Sequence, residues 1–358
     1  MTADRAVPAF PLLATLFLAS VVACGQATRP SDRPAALLIE VFDGATMGTT
    51  YTVRVVTAEA WDEARRDRVG TRIQMALDDV ELAMSHYRPD SEVSRFNETR
   101  STEPFALSPA TFEVVRVAIE LSELSDGALD ITVGPLVNAW GFGPTEPETL
   151  PPDEGLLSRL RARVGFSKLE LDEAASTVRK TDPALEWDLS SVAKGYGVDR
   201  VASALTEEGV TRFMVEVGGE IVAAGANHLH GPWRIGIERP ADGGGIQRVV
   251  PLSGHALATS GDYRNVREVA GRLVSHTIDP RTGRPIDHQL GSVSVIADTC
   301  LLADGVATAL EVLGPDEGYA LAIERGWAAL FLIREGDTIT ARGTPAFDQF
   351  APAGATMD

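Results

Sequence analysis

The sequence predicts an α+β domain in which helices are interspersed among mixed and antiparallel sheets. Two patterns support this fold class: apolar residues recur at helical spacing in several segments, and short strand-like runs lie between them. The segments do not follow the regular strand–helix–strand order of a doubly wound parallel sheet. The 358 residues, 44% hydrophobic and 23% charged, suffice for one large domain or two ordinary ones.

The first part of the chain is predicted to form two strands and two helices. The strands, 37–41 and 51–56, flank a turn that contains glycines. Apolar residues recur every three or four positions over 73–84, which indicates a helix with one buried face. Ser108 is a favourable N-cap and Pro109 suits the first helical turn, so a second helix is predicted to begin there.

The later elements follow a segment without regular periodicity. Residues 130–143 are rich in Gly, Pro and aromatic residues and are predicted to pack as an irregular wall, followed by a surface excursion over 144–152. A helix is predicted over 192–205. The remaining predicted elements are the strands 213–217, 233–237, 249–252, 256–259, 273–278 and 293–296, the helices 301–313 and 317–325, and the closing hairpin strands 328–333 and 338–341.

The N-terminus predicts an exported lipoprotein. The apolar run over 10–23 is shorter than the roughly 20 residues that span a bilayer, so a secretory signal segment fits better than a membrane helix. It ends in Val-Val-Ala-Cys, which resembles a bacterial lipobox with cleavage before Cys24. We therefore expect a lipid anchor on the periplasmic face of a bacterial membrane, with the outer membrane favoured because Gly25 follows the cysteine. A buried N-terminal helix is the alternative.

These observations divide the chain into four parts. A signal peptide is predicted over 1–23 and a tether over 24–36, where Pro, Ser and charged residues are frequent. The folded domain is predicted to span 37–345, and a flexible tail 346–358.

The charge of the chain limits the classes of ligand. Its net charge of −19 argues against a nucleic-acid-binding protein, because such proteins neutralise phosphates with clustered Lys and Arg side chains. An anionic cofactor would need a metal ion or local backbone N–H donors to bind such a chain.

One candidate site is the segment 301–309. Asp304 and Thr308 lie four residues apart on a predicted helix, so their oxygens project from one face. Oxygen ligands of this kind suit Mg2+, which completes its shell with water and phosphate oxygens. A helix-start Asp and a Thr bonded to the backbone would produce the same pattern, and the residues alone leave both interpretations open.

A second candidate site is the segment 186–199. Small residues at the start of a predicted helix leave backbone N–H groups available for an anion, and Lys194 adds a positive charge that suits a diphosphate. The glycine spacing of a Walker loop is absent. A capped helix with a surface Lys is the alternative.

A third candidate site is the segment 275–285. Pro280 and Gly283 indicate a tight turn directly after a strand, which presents His276 and Asp279 near its edge. His276 has the side chain of an acid or base near neutral pH, and Asp279 that of an orienting group or a proton acceptor. An Asp-Pro turn beside a hydrogen-bonded core His remains the alternative.

Taken together, these segments resemble the ApbE family of FAD:protein FMN transferases. The similarity extends over about residues 40–345 and implies an ApbE-like, T-fold-like architecture. The segments that match the family in order and approximate spacing are 47–49, 130–137, 188–199, 216–220, 259–263, 276–283 and 303–309.

The resemblance implies that FAD binds with Mg2+ across its diphosphate, and that FMN is transferred to a Thr or Ser hydroxyl of a partner protein while AMP leaves. It also implies that the partner carries a short flavinylation motif and is a subunit of a membrane redox complex. The implied metal ligands are Asp304, the hydroxyl of Thr308 and the backbone carbonyl of Ser191. The positions implied to line the FAD site are Met47, Tyr87, Ala128, Leu129, Asp130, Asp188, Lys194 and Ile278.

The chemistry leaves some choices open. His276 or Asp279 would take the proton of the incoming hydroxyl, and His276 is favoured because an Asp of ordinary pKa is a weak base. If water replaces the hydroxyl, the same site makes a Mg2+-dependent FAD pyrophosphatase that yields FMN and AMP. A non-catalytic FAD-binding accessory lipoprotein is the third hypothesis.

Overall fold

The computed structural model describes residues 37–147, 149–240, 244–262, 266–336 and 338–351, and these belong to one compact unit. The predicted signal peptide and tether, and residues 352–358 of the predicted tail, lie outside this part of the chain. In the described ranges, none of the helices combines the length and the apolar composition that a membrane span requires.

The strands and helices are named here in chain order. The strands are β1 (Leu38–Thr46), β2 (Thr49–Thr57), β3 (Phe105–Ala106), β4 (Leu169–Asp172), β5 (Thr177–Lys180), β6 (Phe213–Val217), β7 (Glu220–Ala224), β8 (Trp233–Glu238), β9 (Ile246–Leu252), β10 (His255–Gly261), β11 (Val266–Val269), β12 (Arg272–Ser275), β13 (Ile278–Asp279), β14 (Arg284–Pro285), β15 (Leu290–Ala297), β16 (Ala328–Glu335) and β17 (Thr338–Gly343). The helices are α1 (Glu63–Met84), α2 (Glu92–Glu98), α3 (Pro109–Leu124), α4 (Gly134–Ala139), α5 (Glu154–Arg161), α6 (Ser190–Glu207), α7 (Cys300–Arg325) and α8 (Pro345–Asp348).

An eight-stranded sheet forms the centre of the fold, in the order β1-β2-β6-β7-β10-β15-β16-β17. Each neighbouring pair in it is antiparallel. Small sheets, β3-β5-β4 and the pairs β8-β9, β11-β12 and β13-β14, accompany it. The α+β class predicted from the sequence is confirmed.

Helices α1, α6 and α7 cover one face of the large sheet, because the alternation along each strand directs apolar side chains toward them. Val53 and Val55 of β2 are fully buried in the same cluster as Ile73 and Leu77 of α1. The opposite face packs on the β8-β9 hairpin and α8, where Phe347 is fully buried. The predicted stripe over 73–84 is therefore the inner face of α1.

Several predicted boundaries change in the structure. The strand predicted over 273–278 is interrupted, since β12 ends at Ser275 and β13 begins at Ile278. The predicted irregular wall contains the short helix α4, which has Pro135 in its first turn. The domain does not end at 345, because α8 and its buried Phe347 belong to the core beneath the sheet.

Helix α7 carries a kink that separates two helical segments. Gly314 adopts φ +79° inside it and is followed by Pro315, which cannot continue the hydrogen-bond ladder. The two predicted helices, 301–313 and 317–325, correspond to the two sides of this kink.

Candidate active site

A cavity of about 1490 Å³ opens beside the helix-covered part of the fold. It is larger than the roughly 300–1,000 Å³ of typical small-molecule pockets, so it has room for an extended ligand. All of the site residues predicted from the sequence line this cavity, with the exception of Asp279. The three candidate segments therefore contribute to one site.

The N-terminus of α6 forms part of the cavity wall. Its N-cap residue, Leu189, makes no side-chain capping hydrogen bond, and Ser190, Ser191 and Lys194 line the cavity within the first turns. The start of a helix concentrates backbone N–H groups and a partial positive charge, which favours an anion. The predicted anion-binding character of this segment fits its position.

Helices α6 and α7 cross at a glycine. A Cβ added to Gly195 would lie 2.3 Å from the backbone oxygen of Cys300 and 2.8 Å from Cβ of Asp304, closer than any side chain tolerates. The backbone N–H of Gly195 donates a hydrogen bond to Oδ2 of Asp304, at 2.9 Å. The absence of a side chain at 195 thus brings Asp304 to the start of α6.

Lys194 lies between two buried carboxylates. Its Nζ is 3.2 Å from Oε1 of Glu220 and 3.6 Å from Oδ1 of Asp304. Burial raises the pKa of Glu220 to about 8, an effect that Lys194 opposes and Asp304 reinforces. Burial also raises the pKa of Asp304. Burial disfavours the charge of Lys194, but the two carboxylates together raise its pKa above its ordinary value.

Glu220 was not assigned a role from the sequence, although its segment was among those that match the family. It begins β7, directly after the Gly218-Gly219 turn, and its Oε2 is buried without a hydrogen-bond partner. The contact with Lys194 joins a strand to a helix across the cavity wall, so only the tertiary structure identifies it.

The predicted metal ligands all line the cavity. Asp304 and Thr308 lie one turn apart on α7, and Oγ1 of Thr308 is 3.4 Å from Oγ of Ser260 on β10. Ser191 on α6 also lines the cavity. The described residues include no cluster of three or more His, Cys, Asp or Glu side chains arranged to hold a metal ion. A carboxylate, a hydroxyl and a carbonyl nevertheless fit Mg2+ that receives its other ligands from water and phosphate.

His276 and Asp279 have different surroundings. His276 lies in the break between β12 and β13, lines the cavity and faces the ring of Phe142 edge-on, with ring centroids 6.4 Å apart. The Asp279 carboxylate accepts hydrogen bonds from the backbone N–H of Arg281 at 2.9 Å, and from its Nε at 3.0 Å. Asp279 was predicted to face the reacting groups. In the structure it does not line the cavity, and its carboxylate is paired with Arg281 in the same turn.

Asp188 is held by a network of polar contacts. Asn97 pairs with both backbone groups of Trp187: its Oδ1 accepts from the N–H at 2.7 Å, and its Nδ2 donates to the carbonyl at 2.9 Å. Oδ1 of Asp188 accepts from the N–H of Ser190 at 2.9 Å and lies 3.3 Å from Nδ1 of His86. Burial opposes ionisation of Asp188, but these partners lower its pKa below the ordinary value.

Asp130 has its carboxylate occupied within the protein. Oδ1 accepts from the N–H and the hydroxyl of Thr132, at 2.8 and 2.6 Å, and Oδ2 accepts from the N–H of Phe166 at 2.8 Å. Burial raises its pKa. Asp130 lines the cavity next to Ala128 and Leu129, which are also buried.

The remaining predicted residues have distinct positions on the wall. Met47 has a positive φ of 47° in the β1–β2 turn, and its N–H donates to the Glu81 carboxylate. Ile278 is buried beneath the cavity. Tyr87 is 64% exposed and its hydroxyl donates to the carbonyl of Phe142 at 3.3 Å, so its ring is open to a planar ligand.

Comparison with known proteins places this site in a family context. The ApbE family profile matches residues 47–331. The FAD:protein FMN transferase of Vibrio cholerae is 44% identical over 309 residues, which cover 86% of this chain and 91% of the relative. The protein of the same name from Escherichia coli K12 is 37% identical over 342 residues, 95% of each chain.

Solved structures show the same relationship. The flavin transferase ApbE from Vibrio cholerae has a TM-score of 0.80 and 40% identity to this chain, over 88% of this chain and 99% of that one. The apo form of the flavinyl transferase ApbE from Pseudomonas stutzeri also has a TM-score of 0.80 and 40% identity, over 89% of this chain and 98% of that one. The chain belongs to the ApbE family.

Proposed function

We propose that this protein transfers FMN from FAD to a Thr or Ser hydroxyl of a partner protein, with Mg2+, and releases AMP. The observation that carries the proposal is the meeting of α6 and α7 on one wall of a large cavity. This meeting brings Lys194 beside Asp304, with Ser191, Thr308 and His276 on the same cavity. Its relatives with the printed name FAD:protein FMN transferase support the same reaction.

The charge distribution explains how an acidic protein holds an anionic substrate. The first turn of α6 offers partial positive charge, and Lys194 remains protonated because two carboxylates surround it. These groups act locally, whereas the net charge of −19 is spread over the whole chain. FAD would lie with its diphosphate near α6 and Lys194, and with a planar ring against Tyr87.

Asp304, the hydroxyl of Thr308 and the carbonyl of Ser191 would hold Mg2+. When bound, Mg2+ neutralises charge on the diphosphate, which is a principal requirement of phosphoryl transfer. Lys194 adds a fixed positive charge from the protein, and Glu220 keeps the ammonium in place at 3.2 Å.

His276 is the proposed general base. The hydroxyl oxygen of the acceptor forms a bond to the phosphorus of the FMN half, its proton passes to His276, and the bond from that phosphorus to the AMP oxygen breaks. The proton acceptor must face the incoming hydroxyl, and His276 lines the cavity whereas the Asp279 carboxylate is engaged with Arg281.

The test uses the mature chain with FAD, Mg2+ and a candidate acceptor domain that carries a flavinylation motif. Transfer predicts AMP release together with an FMN-sized mass increase on the acceptor. AMP with free FMN and an unmodified acceptor would reject transfer and identify the FAD pyrophosphatase. Bound FAD without AMP release would identify the non-catalytic accessory protein.

We also propose that the chain is exported and anchored by lipid at Cys24. The support is the apolar run over 10–23, which is too short for a membrane helix and ends in a lipobox-like sequence. An anchored enzyme would meet acceptors at the periplasmic face of a membrane, which suits a subunit of a membrane redox complex.

A further inference from the structure

His86 lies on the cavity wall in the loop that follows α1, and the proposed mechanism does not use it. Its side chain is only 12% exposed, and its Nδ1 is 3.3 Å from Oδ1 of Asp188. Its ring also packs on the ring of Tyr87, with centroids 4.4 Å apart and planes tilted by 35°. One imidazole thus contacts two residues that line the proposed FAD site.

The charges around His86 favour its protonated form. Asp188 faces it from the segment before α6 and is itself almost fully buried. Tyr87 and Arg88 lie in the same loop as His86, and Glu81 lies in the last turn of α1. Arg88 is paired with Asp90, and the Glu81 carboxylate accepts from the N–H of Met47. Burial disfavours a charge on His86, but Asp188 raises its pKa above the ordinary value.

The proton on His86 has a consequence for ligand binding. Protonated, His86 neutralises the Asp188 carboxylate. Once His86 is neutral, Asp188 is a buried negative charge on the wall of a cavity that must accept a diphosphate, and its other described partner, the N–H of Ser190, carries no charge. A negative ligand binds less favourably beside such a charge.

We propose that His86 is a positioning residue that holds the Asp188 carboxylate and the Tyr87 ring for FAD, and that FAD binding to this protein weakens as His86 loses its proton. The inference rests on the proposed use of FAD. The proposal involves a single proton on the imidazole of His86. FAD binding favours the protonated form, and at higher pH the proton passes to solvent.

The first experiment measures the dissociation constant of FAD, in the presence of Mg2+, by flavin fluorescence from about pH 5.5 to about pH 9, a range that spans histidine titration. Glu220 and His276 also line the cavity and are present in both proteins, so the comparison is between the wild-type protein and His86→Gln. Gln keeps a hydrogen-bond donor and removes the charge.

From the low to the high end of this pH range, we expect the affinity of the wild type for FAD to fall about tenfold more than that of His86→Gln. A tenfold change corresponds to a difference of about one unit between the pKa of His86 in the free and in the FAD-bound protein. At low pH His86→Gln should bind FAD more weakly than the wild type, with a higher KM for FAD and a kcat close to the wild-type value. A purely structural role would not produce this split or the loss of pH dependence.

His255 provides a matched control. Its Nδ1 is 3.5 Å from Oδ1 of Asp298, a pairing like that of His86, but Asp298 is 93% exposed in its side chain and His255 does not line the cavity. His255→Gln should therefore bind FAD with the wild-type pH profile. Thermal unfolding of each variant without FAD shows whether it folds.

A double-variant comparison tests whether His86 acts through Asp188. With Asp188→Asn in place, adding His86→Gln should leave the pH profile of FAD binding unchanged. Identical profiles for the wild type and His86→Gln would overturn the inference while leaving FMN transfer intact. A wild-type protein that binds no FAD at any pH would instead reject the proposed function itself.

Discussion

Oδ2 of Asp304 accepts a hydrogen bond from the backbone N–H of Gly195, at 2.9 Å. The bond joins α7 to α6 where the predicted metal-binding and anion-binding segments meet. It exists because residue 195 has no side chain, so the geometry of the site depends on how closely two helices pack.

Replacing Gly195 by Ala should therefore destabilise the protein. The added Cβ would lie 2.3 Å from the Cys300 backbone oxygen, and backbone cannot move aside as a flexible side chain does. We expect a loss of about 3 kcal/mol in the free energy of unfolding, which exceeds the roughly 1 kcal/mol that Ala gains over Gly in a helix. Gly231→Ala is the control, since a Cβ there meets nothing within 4 Å. Urea unfolding measures the free energy of unfolding of both variants. Equal values for Gly195→Ala and Gly231→Ala would contradict the close packing of α6 against α7.

Asp304→Asn should abolish most of the activity while the protein remains folded. The amide oxygen still accepts the hydrogen bond of Gly195, but the charge proposed to attract Mg2+ is lost. We expect AMP release to fall by about 100-fold or more, because a metal ligand supports several kcal/mol of charge stabilisation. Asp298→Asn, at a side chain that is 93% exposed, should retain full activity. Activity of Asp304→Asn at the wild-type level would refute the metal assignment.

Substitutions of His276 and Asp279 distinguish which of the two residues is the general base. His276→Asn should lower kcat by about 100-fold to 10,000-fold, the usual contribution of a general base. Asp279→Asn should have a much smaller effect on kcat, because this carboxylate bonds to Arg281 within its turn. Single-turnover measurement of AMP release distinguishes the two. A larger loss of kcat for Asp279→Asn would reverse the assignment of the base.

The stability of the fold should depend on the protonation of Asp199. This carboxylate accepts hydrogen bonds from the N–H groups of Cys300 and Leu301, both at 2.9 Å, and burial raises its pKa from 3.8 to about 6. Between these values the folded protein binds more protons at this site than the unfolded chain, so the free energy of unfolding falls as pH rises. Relative to Asp199→Asn, the wild type should lose up to about 3 kcal/mol over this range.

Urea unfolding of both proteins at several pH values measures this difference. A difference between wild type and variant that stays constant from about pH 4 to about pH 6 would show that Asp199 titrates normally in the folded state.

Cys24→Ser should release the protein from the membrane. The sulfur of Cys24 is the proposed site of lipid attachment, and Ser cannot form the thioether. Fractionation of cells should find the wild type with membranes and the variant in the soluble periplasmic fraction. Cys300→Ala, which alters a fully buried thiol, should leave the protein with the membranes. The same distribution for Cys24→Ser and the wild type would contradict lipid anchoring.

Local patterns predicted much of the fold. The apolar spacing over 73–84 corresponds to the buried face of α1, and Ser108 caps α3 by accepting from the N–H of Thr111. Gly314 and Pro315 mark the kink in α7. In each case neighbouring residues determine the structure, so a short window of sequence contains the information.

Contacts between residues that are far apart in the sequence could not be predicted from local patterns. Phe347 lies in a short segment without a sustained helical or strand periodicity, and its burial depends on the sheet face that α8 covers. Glu220 reaches Lys194 only after β7 and α6 pack together. Arg281 lies only two residues from Asp279 in the sequence. Whether its guanidinium pairs with the Asp279 carboxylate depends on the conformation of the turn, which the sequence alone does not determine.

The cavity draws on residues from Met47 near the start of the domain to Thr308 near its end. The complete cavity therefore exists only after the sheet and its covering helices have come together. A ligand that contacts both parts of the chain binds the folded form and not the unfolded one, so it stabilises the protein against unfolding.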